Sequence, residues 1–246
     1  MADIPAEFHY PHRPTARRIL RWMARTTLKT LTHFEIIGEE NIPPNGPLLV
    51  VGNHFDFADP VAVLAVLPQP LEFFAGTQRP AAPLMAKWIP ELWKVYLVGR
   101  GTGSRYALKA AEYVMQQNGI LGIFPEGGAW AQVLRPARPG TAYVATRTGV
   151  PILPIGLHGM PDIFPSLRQG KRARVTIRIG RPFGPFSVNG HGRDKREQLD
   201  EIGHEIMRHI AALIPPEKHG VYSPDPAIRA AAEAVAAFPW ESTSEF

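Results

Sequence analysis

The chain has 246 residues, of which 45% are hydrophobic and 20% charged; this is enough for one α/β domain and excludes a disordered chain. It contains no cysteine, which excludes disulfide bonds, a thiolate nucleophile and a cysteine-ligated metal. The net charge is +5, with basic clusters in residues 13–29 and 168–181 that suit an anionic membrane, a phosphate-bearing substrate or nucleic acid, or that simply form a solvated face.

The first 33 residues are predicted to form an irregular arm followed by a basic amphipathic helix. Residues 15–33 have helical periodicity. The apolar face comprises Leu20, Met23, Ala24, Thr27, Leu28 and Leu31, and the basic stripe comprises Arg18, Arg21, Arg25 and Lys29. The pattern is typical of a helix on an anionic membrane and equally of a surface helix packed on the domain. No secretory signal or bilayer-spanning run is visible, so any membrane contact is expected to be interfacial.

Residues 34–214 are predicted to form a single α/β domain with a mixed, mainly parallel sheet flanked by helices. Strands are predicted at 34–37, 48–52, 71–75, 120–124, 152–157 and 174–179, and helices at 60–67, 105–117, 140–148 and 193–213. The alternation of strands and helices favours parallel pairing, and continuous apolar runs favour strands that are covered on both faces. Residues 215–246 are predicted to be a C-terminal extension with one helix and a loose tail.

A candidate catalytic pair follows the second predicted strand. The strand ends at Gly52, so Asn53 and His54 lie at its carboxyl end, where open α/β sheets bind their ligands. Asp59 precedes a proline and an apolar run, which is the pattern of a helix start. The loop between them can bring the carboxylate to one ring nitrogen, leaving the other to take a proton from a hydroxyl. The alternative is a helix-capping aspartate near an unrelated histidine, since the spacing alone is weak evidence.

Three further segments carry polar or turn-forming residues next to apolar strands. Arg100 lies in a glycine-flanked turn, the segment 124–128 reads FPEGG, and Pro151 opens a proline-bounded apolar strand. Together with the histidine and aspartate five residues apart, these segments resemble the blocks of the lysophospholipid and glycerolipid acyltransferase family, in the same order. That family includes the 1-acylglycerol-3-phosphate acyltransferases, and the likeness extends from about residue 34 to residue 181.

The resemblance implies a role for each matching residue. His54 would be the general base, Asp59 its orienting partner, and Arg100 a ligand for the phosphate or another anionic group of the acceptor. Asn53 and Pro151 would support the site. The acceptor site would be shaped by Phe124, Pro125, Glu126 and Gly127.

The resemblance also implies the substrates. The donor would be acyl-CoA or acyl-carrier protein, and the acceptor a hydroxyl of a lysophospholipid in phospholipid biosynthesis. No metal or other cofactor, and no nucleic acid, is expected to take part. The enzyme would lie peripherally on the inner, cytoplasmic face of the cell membrane.

The chain departs from the family pattern directly after this block. Family members that act on lysophosphatidate commonly continue with an arginine and a serine or threonine, whereas this chain has Gly128, Ala129 and Trp130. Arg135 or Arg138 is a candidate to reach the same place. The departure leaves open a non-phosphorylated acceptor, such as a glycolipid or amino-lipid hydroxyl. The positive charge leaves open, more remotely, a non-catalytic basic lipid-binding domain.

Overall fold

The computed structural model describes residues 10–76, 92–98, 105–129 and 131–236, which fold around a seven-stranded sheet. The strands are β1 (Thr32–Ile37), β2 (Leu48–Gly52), β3 (Leu71–Gly76), β4 (Tyr96–Val98), β5 (Ile120–Ile123), β6 (Ile152–His158) and β7 (Ala173–Ile179). Their spatial order is β1-β7-β6-β2-β5-β3-β4, and every neighbouring pair is parallel except β6 and β7. The prediction of a mixed, mainly parallel sheet is confirmed.

Helices connect and flank these strands. They are α1 (Pro14–Leu31), α2 (Asp59–Val66), α3 (Arg105–Gln116), α4 (Pro139–Thr148), α5 (Ile163–Arg168), α6 (Gly192–Ala211) and α7 (Pro226–Ala236). Short 3-10 turns lie at Glu39–Asn41, Met160–Asp162, Pro216–Lys218 and Gly220–Tyr222. Each predicted helix is found within two residues of its expected limits, whereas β4 and α5 were not predicted.

The sheet is covered on both faces. Along β2, successive side chains point to opposite sides of the sheet. Leu49 and Val51 join the core formed with α3, α4 and α6, whereas Leu48 and Val50 join the core formed with α1, α2 and α5. This double coverage explains why β2 is apolar at every position instead of alternating with polar residues.

Helix α1 packs on α2 and is fixed near its start by a buried ion pair. Arg17 is 2% exposed, and two of its nitrogens bond to the two carboxylate oxygens of Glu72 on β3 at 2.6 and 2.7 Å. Its guanidinium also donates to the carbonyl oxygen of Trp93 and lies 4.9 Å from the centre of that indole ring. A two-point contact of this kind satisfies both charges inside the protein and ties α1 to the sheet. The inner face of residues 15–33 is therefore packed on the domain.

The C-terminal extension packs against the segment that follows β5. The amide of Leu134 donates to the carbonyl oxygen of Lys218 at 2.9 Å, and the amide of Val221 donates to the carbonyl oxygen of Leu134 at 3.3 Å. A Cβ atom at Gly220 would lie 2.1 Å from that same carbonyl oxygen, and Gly220 has a φ of +55°, so the contact requires glycine. The helix predicted in the extension is α7, and the tail after residue 236 lies outside the described residues.

Candidate active site

The central strand β2 ends at the edge of the sheet where the candidate residues begin. Asn53 is fully buried and makes two hydrogen bonds with the main chain of Leu157 in β6. Its Nδ2 donates to the carbonyl oxygen at 2.9 Å, and its Oδ1 accepts from the amide at 2.7 Å. These bonds satisfy main-chain groups where β2 leaves the sheet. Asn53 therefore fixes the point at which His54 leaves the strand.

The loop after Asn53 brings His54 and Asp59 together. The distance from Nδ1 of His54 to Oδ2 of Asp59 is 3.1 Å, and the two side chains are 17% and 1% exposed. The same Oδ2 accepts from the amides of Phe55 and Asp56, each at 2.7 Å. The bond from the imidazole to this oxygen holds the proton of the ring on Nδ1. Nε2 is then left as a proton acceptor.

The carboxylate of Asp59 does not cap the helix that follows. Helix α2 begins at Asp59 itself, its capping position is Ala58, and no side chain bonds to its free amides there. The expectation that Asp59 lies just before the helix was wrong by one residue. Because its carboxylate turns back to the loop instead of toward the helix, the alternative of a capping aspartate beside an unrelated histidine does not describe this site.

The FPEGG segment forms the wall opposite this loop. The ring of Phe124 stacks on the imidazole of His54, with 4.4 Å between centroids and 25° between planes, and on Phe73 at 5.8 Å. The carbonyl oxygen of Pro125 accepts from the amide of Arg138 at 2.8 Å. Gly127 has a φ of +78°, a left-handed conformation that favours glycine. The segment is thus a tight turn that places an aromatic face against the candidate base.

Glu126 connects this turn to the main chain of His54. Its Oε1 accepts from the His54 amide at 2.8 Å, and its Oε2 accepts from Nε of Arg135 at 3.2 Å. Both charged side chains are fully buried, and Nη2 of Arg135 also donates to the carbonyl oxygen of Gly128. Burial raises the pKa of Glu126 to about 7, although Arg135 and the His54 amide both act to lower it. Glu126 is therefore not exposed to an acceptor and instead bonds to the main chain of His54 and to Arg135.

The sequence made Arg135 a candidate to bind the phosphate of the acceptor, and the structure corrects this expectation. Its guanidinium points inward to Glu126 and is fully buried, so it does not replace the missing donors of the family block. Arg138 is half-buried, and its Cγ would lie 3.3 Å from a Cβ atom on Gly127. Of the two candidates, only Arg138 lies at the outer side of the turn.

Asp56 is a second carboxylate in the loop. Its Oδ1 accepts from the amide of Ala58 at 2.9 Å, which tightens the turn between His54 and Asp59. Burial raises the pKa of Asp56 and the charge of Asp59 adds to this effect, whereas the Ala58 amide and His54 lower it. Within the parts of the chain that the structure describes, no cluster of His, Asp and Glu side chains has the arrangement of a metal site.

An apolar groove of about 280 Å³ runs beside the loop, between α1, α2 and α5. Ala58 from the loop contributes to its lining, and the rings of Phe57 and Phe164 stack at 5.9 Å at the same side. The lining also includes Leu20, Leu28, Leu31, Val61, Leu64 and Ile163. A larger depression of about 430 Å³ lies between α6 and the C-terminal extension, but no residue of the loop lines it, so we associate the apolar groove with the site.

Two predicted residues are not brought to this pair by the described structure. Pro151 precedes β6, and its carbonyl oxygen accepts from the amide of Leu49 at 3.0 Å. Because β2 and β6 are parallel, Pro151 lies at their amino ends, opposite to the edge that carries His54. Its proposed support of a pocket is therefore corrected to support of the sheet. Arg100 lies outside the described residues.

The sequence of this chain is similar to the sequences of known acyltransferases. Residues 33–158 match the family model described as Acyltransferase. A 1-acyl-sn-glycerol-3-phosphate acyltransferase of Chlamydomonas reinhardtii is 25% identical over 196 residues, covering 75% of this chain and 54% of that protein. One from Borreliella burgdorferi is 27% identical over 134 residues, covering 52% of each. The chain spans about half the length of these curated relatives.

A solved structure has the same fold. It is the 1-acyl-sn-glycerophosphate acyltransferase PlsC from Thermotoga maritima, which superposes with a TM-score of 0.52 at 20% sequence identity. The match covers 81% of this chain and 83% of that protein. At this level of identity the likeness establishes the architecture of the domain.

Proposed function

The chain belongs to the acyltransferase family, and from this premise we propose that it transfers a fatty acyl group from a thioester donor to a hydroxyl of a lysophospholipid-like acceptor. The donor is acyl-CoA or acyl-carrier protein, and the product is an ester used in phospholipid synthesis. The observation that carries the proposal is the bond between His54 and Asp59 beside an apolar groove.

The geometry supports a direct attack by the acceptor. Nε2 of His54 takes the proton of the hydroxyl while its oxygen attacks the thioester carbonyl carbon. Asp59 stabilises the imidazolium that forms, because its charge lies at Nδ1. The tetrahedral intermediate then collapses, the carbon–sulfur bond breaks, and the leaving thiolate receives the proton from Nε2. No covalent intermediate on the protein is needed.

The apolar groove supports a lipid substrate. Its lining is almost entirely aliphatic and aromatic, and it adjoins the loop through Ala58. Burial of an acyl chain there removes apolar surface from water at about 25 cal/mol per Å². An acyl chain held in this groove would have its carbonyl end close to His54.

A second candidate acceptor is a lipid hydroxyl without phosphate, such as that of a glycolipid or amino-lipid. Two observations favour it: Arg135 is buried in an ion pair, and Ala129 provides no side-chain donor at the turn. If the acceptor is anionic, Arg100→Ala should raise the KM for the acceptor. If the acceptor is neutral, the same change should leave that KM unaltered.

A substrate panel tests the proposal. The purified protein is incubated with acyl-CoA or acyl-carrier protein and a mixture of lysophospholipids and glycolipids, and the products are identified by mass spectrometry. We expect a new ester from one acceptor class with release of free thiol. Lipid binding without any ester, from any donor and acceptor, would instead support a non-catalytic domain.

A further inference from the structure

Arg135 lies at the end of a buried chain of contacts that reaches the main chain of His54. Its Nε donates to Oε2 of Glu126 at 3.2 Å, and Oε1 of Glu126 accepts from the His54 amide at 2.8 Å. A further nitrogen of Arg135 donates to the carbonyl oxygen of Gly128, which holds the guanidinium to the same turn. Arg135 therefore holds the Glu126 carboxylate and the Gly128 carbonyl group directly, and it reaches the His54 amide through Glu126.

We propose that Arg135 is a positioning residue of the active site, which holds the Glu126 carboxylate in the charge state and orientation that fix the His54 amide. The inference rests on the proposed function in that His54 acts as the base.

The charge of Arg135 matters because Glu126 has no contact with solvent. A fully buried carboxylate without a cation takes up a proton instead of remaining charged. Burial already raises the pKa of Glu126 to about 7, and Arg135 is the largest influence in the opposite direction. Glu126 is therefore ionised above about pH 7. We therefore expect the ion pair with Arg135 to be lost, and the hold on the His54 amide to weaken, as the pH falls through this value.

Other charged groups surround this pair. The charge of Asp59 on α2 acts to raise the pKa of Glu126. Arg138 and burial both lower the pKa of Arg135, with burial the larger cause. From the C-terminal extension, Tyr222 faces the pair: burial raises its pKa, and the charge of Glu126 adds to this effect. Of these groups, Arg135 is the one that both pairs with Glu126 and contacts the turn.

The position of Arg135 is set by the C-terminal extension. Its neighbour Leu134 exchanges main-chain hydrogen bonds with Lys218 and Val221, and Leu134 itself is fully buried. The segment is thus held on one side by the extension and on the other by Glu126. These contacts restrain Arg135 from both sides, as is needed of a residue that orients others.

The pH dependence of activity tests the proposal with three proteins: wild type, Arg135→Met and Arg135→Lys. We expect Arg135→Met to move the acidic limb of kcat upward by about one pH unit or more, which lowers the rate at pH 7 by about fivefold or more. Activity should recover at higher pH, with little change in the KM for either substrate. Arg135→Lys, which keeps the charge, should restore part of the shift. Arg147→Met, which removes an exposed ion pair with Glu112, serves as the control.

If Arg135 only stabilises the fold, the kinetic result is different. Arg135→Met would then lower kcat by one factor at every pH, or leave it unchanged, and either outcome overturns the proposal. Circular dichroism and thermal unfolding show whether each variant is folded. If the methionine variant does not fold, the proposal is tested by the pH profile of Arg135→Lys and by the titration of the His54 amide described next.

A measurement without turnover separates this inference from the proposed function. In selectively ¹⁵N-histidine-labelled protein, the His54 amide is assigned from the signal lost in His54→Gln. We expect this amide to titrate with a midpoint near pH 7, and this step should vanish in Glu126→Gln and move upward in Arg135→Lys. An amide that titrates identically in all three proteins would overturn the role of Arg135, whether or not the chain transfers acyl groups.

Discussion

At the scale of single residues, the site depends on one carboxylate oxygen that accepts three hydrogen bonds. Oδ2 of Asp59 accepts hydrogen bonds from Nδ1 of His54 and from the amides of Phe55 and Asp56, so it fixes the ring and the loop together. The negative charge is held by these donors and is close to the imidazole. A neutral amide of the same shape would keep most of the geometry and remove the charge.

Asp59→Asn therefore separates orientation from charge. We expect kcat to fall about 10²- to 10⁴-fold, because the imidazolium formed on proton transfer loses its counter-charge. The KM values should change little. Steady-state kinetics with Asp162→Asn, an exposed aspartate outside the loop, as the matched control measure this effect. A turnover close to that of the wild type would show that Asp59 only shapes the loop.

The sequence predicted part of this site for physical reasons. Asn53, His54 and Asp59 were found because a strand end, a short loop and a helix start are local features that residue patterns reveal. The pairing of Glu126 with Arg135 was missed, since it joins residues across a turn and buries two charges. Burial of an arginine has no local signature.

At the scale of secondary structure, apolar runs identified the strands and periodicity identified the helices. Strand β4 has three residues and α5 has six with a proline inside, so neither gave a pattern of sufficient length. Pro151 was assigned to the site because it belongs to one of the blocks that resemble the family. Because β2 and β6 are parallel, the amino end of β6 lies at the sheet edge opposite to the carboxyl end of β2, which carries the site. Pro151 therefore lies away from the site.

The contact between the C-terminal extension and Leu134 gives a test at this scale. Gly220→Ala brings a Cβ atom within 2.1 Å of a carbonyl oxygen at a φ of +55°. We expect a loss of stability of about 3 kcal/mol and a lower kcat, because the segment carrying Arg135 must shift.

The matched control is Gly170→Ala. Gly170 has a φ of +68°, but a Cβ atom there meets nothing within 4 Å, so it carries the backbone strain without the clash. Urea unfolding and kinetics of both variants separate the two causes. Equal losses in the two variants, with unchanged kcat, would show that the extension does not influence the site.

At the scale of the whole molecule, apolar and basic side chains share the outer surface of α1. Ile19, Trp22 and Met23 are 54%, 66% and 50% exposed, and Phe164 on α5 is 52% exposed beside the apolar groove. Among the described residues, no helix combines the length and apolar character needed to cross a bilayer. We propose that this surface docks on anionic lipids at the inner face of the cell membrane, so that a lipid acceptor reaches the groove.

Vesicle flotation tests the docking. We expect more protein on vesicles with anionic phospholipid than on zwitterionic vesicles, and weaker binding in high salt. Trp22→Ala should weaken binding about 10- to 150-fold, since an indole buried at the interface contributes about 1.5–3 kcal/mol. Val235→Ala, at an exposed apolar site on α7, is the control. Identical binding of the two variants would place the membrane contact elsewhere.

The most direct measurement is kcat/KM for His54→Ala, with the donor and acceptor that the panel identifies. Removal of the general base should lower kcat/KM about 10²- to 10⁴-fold. Circular dichroism and the melting temperature should remain close to those of the wild type, since the ring is partly exposed and Asn53 and Glu126 hold the main chain. A folded variant that transfers acyl groups at nearly the wild-type rate would contradict the assignment of His54 as the base.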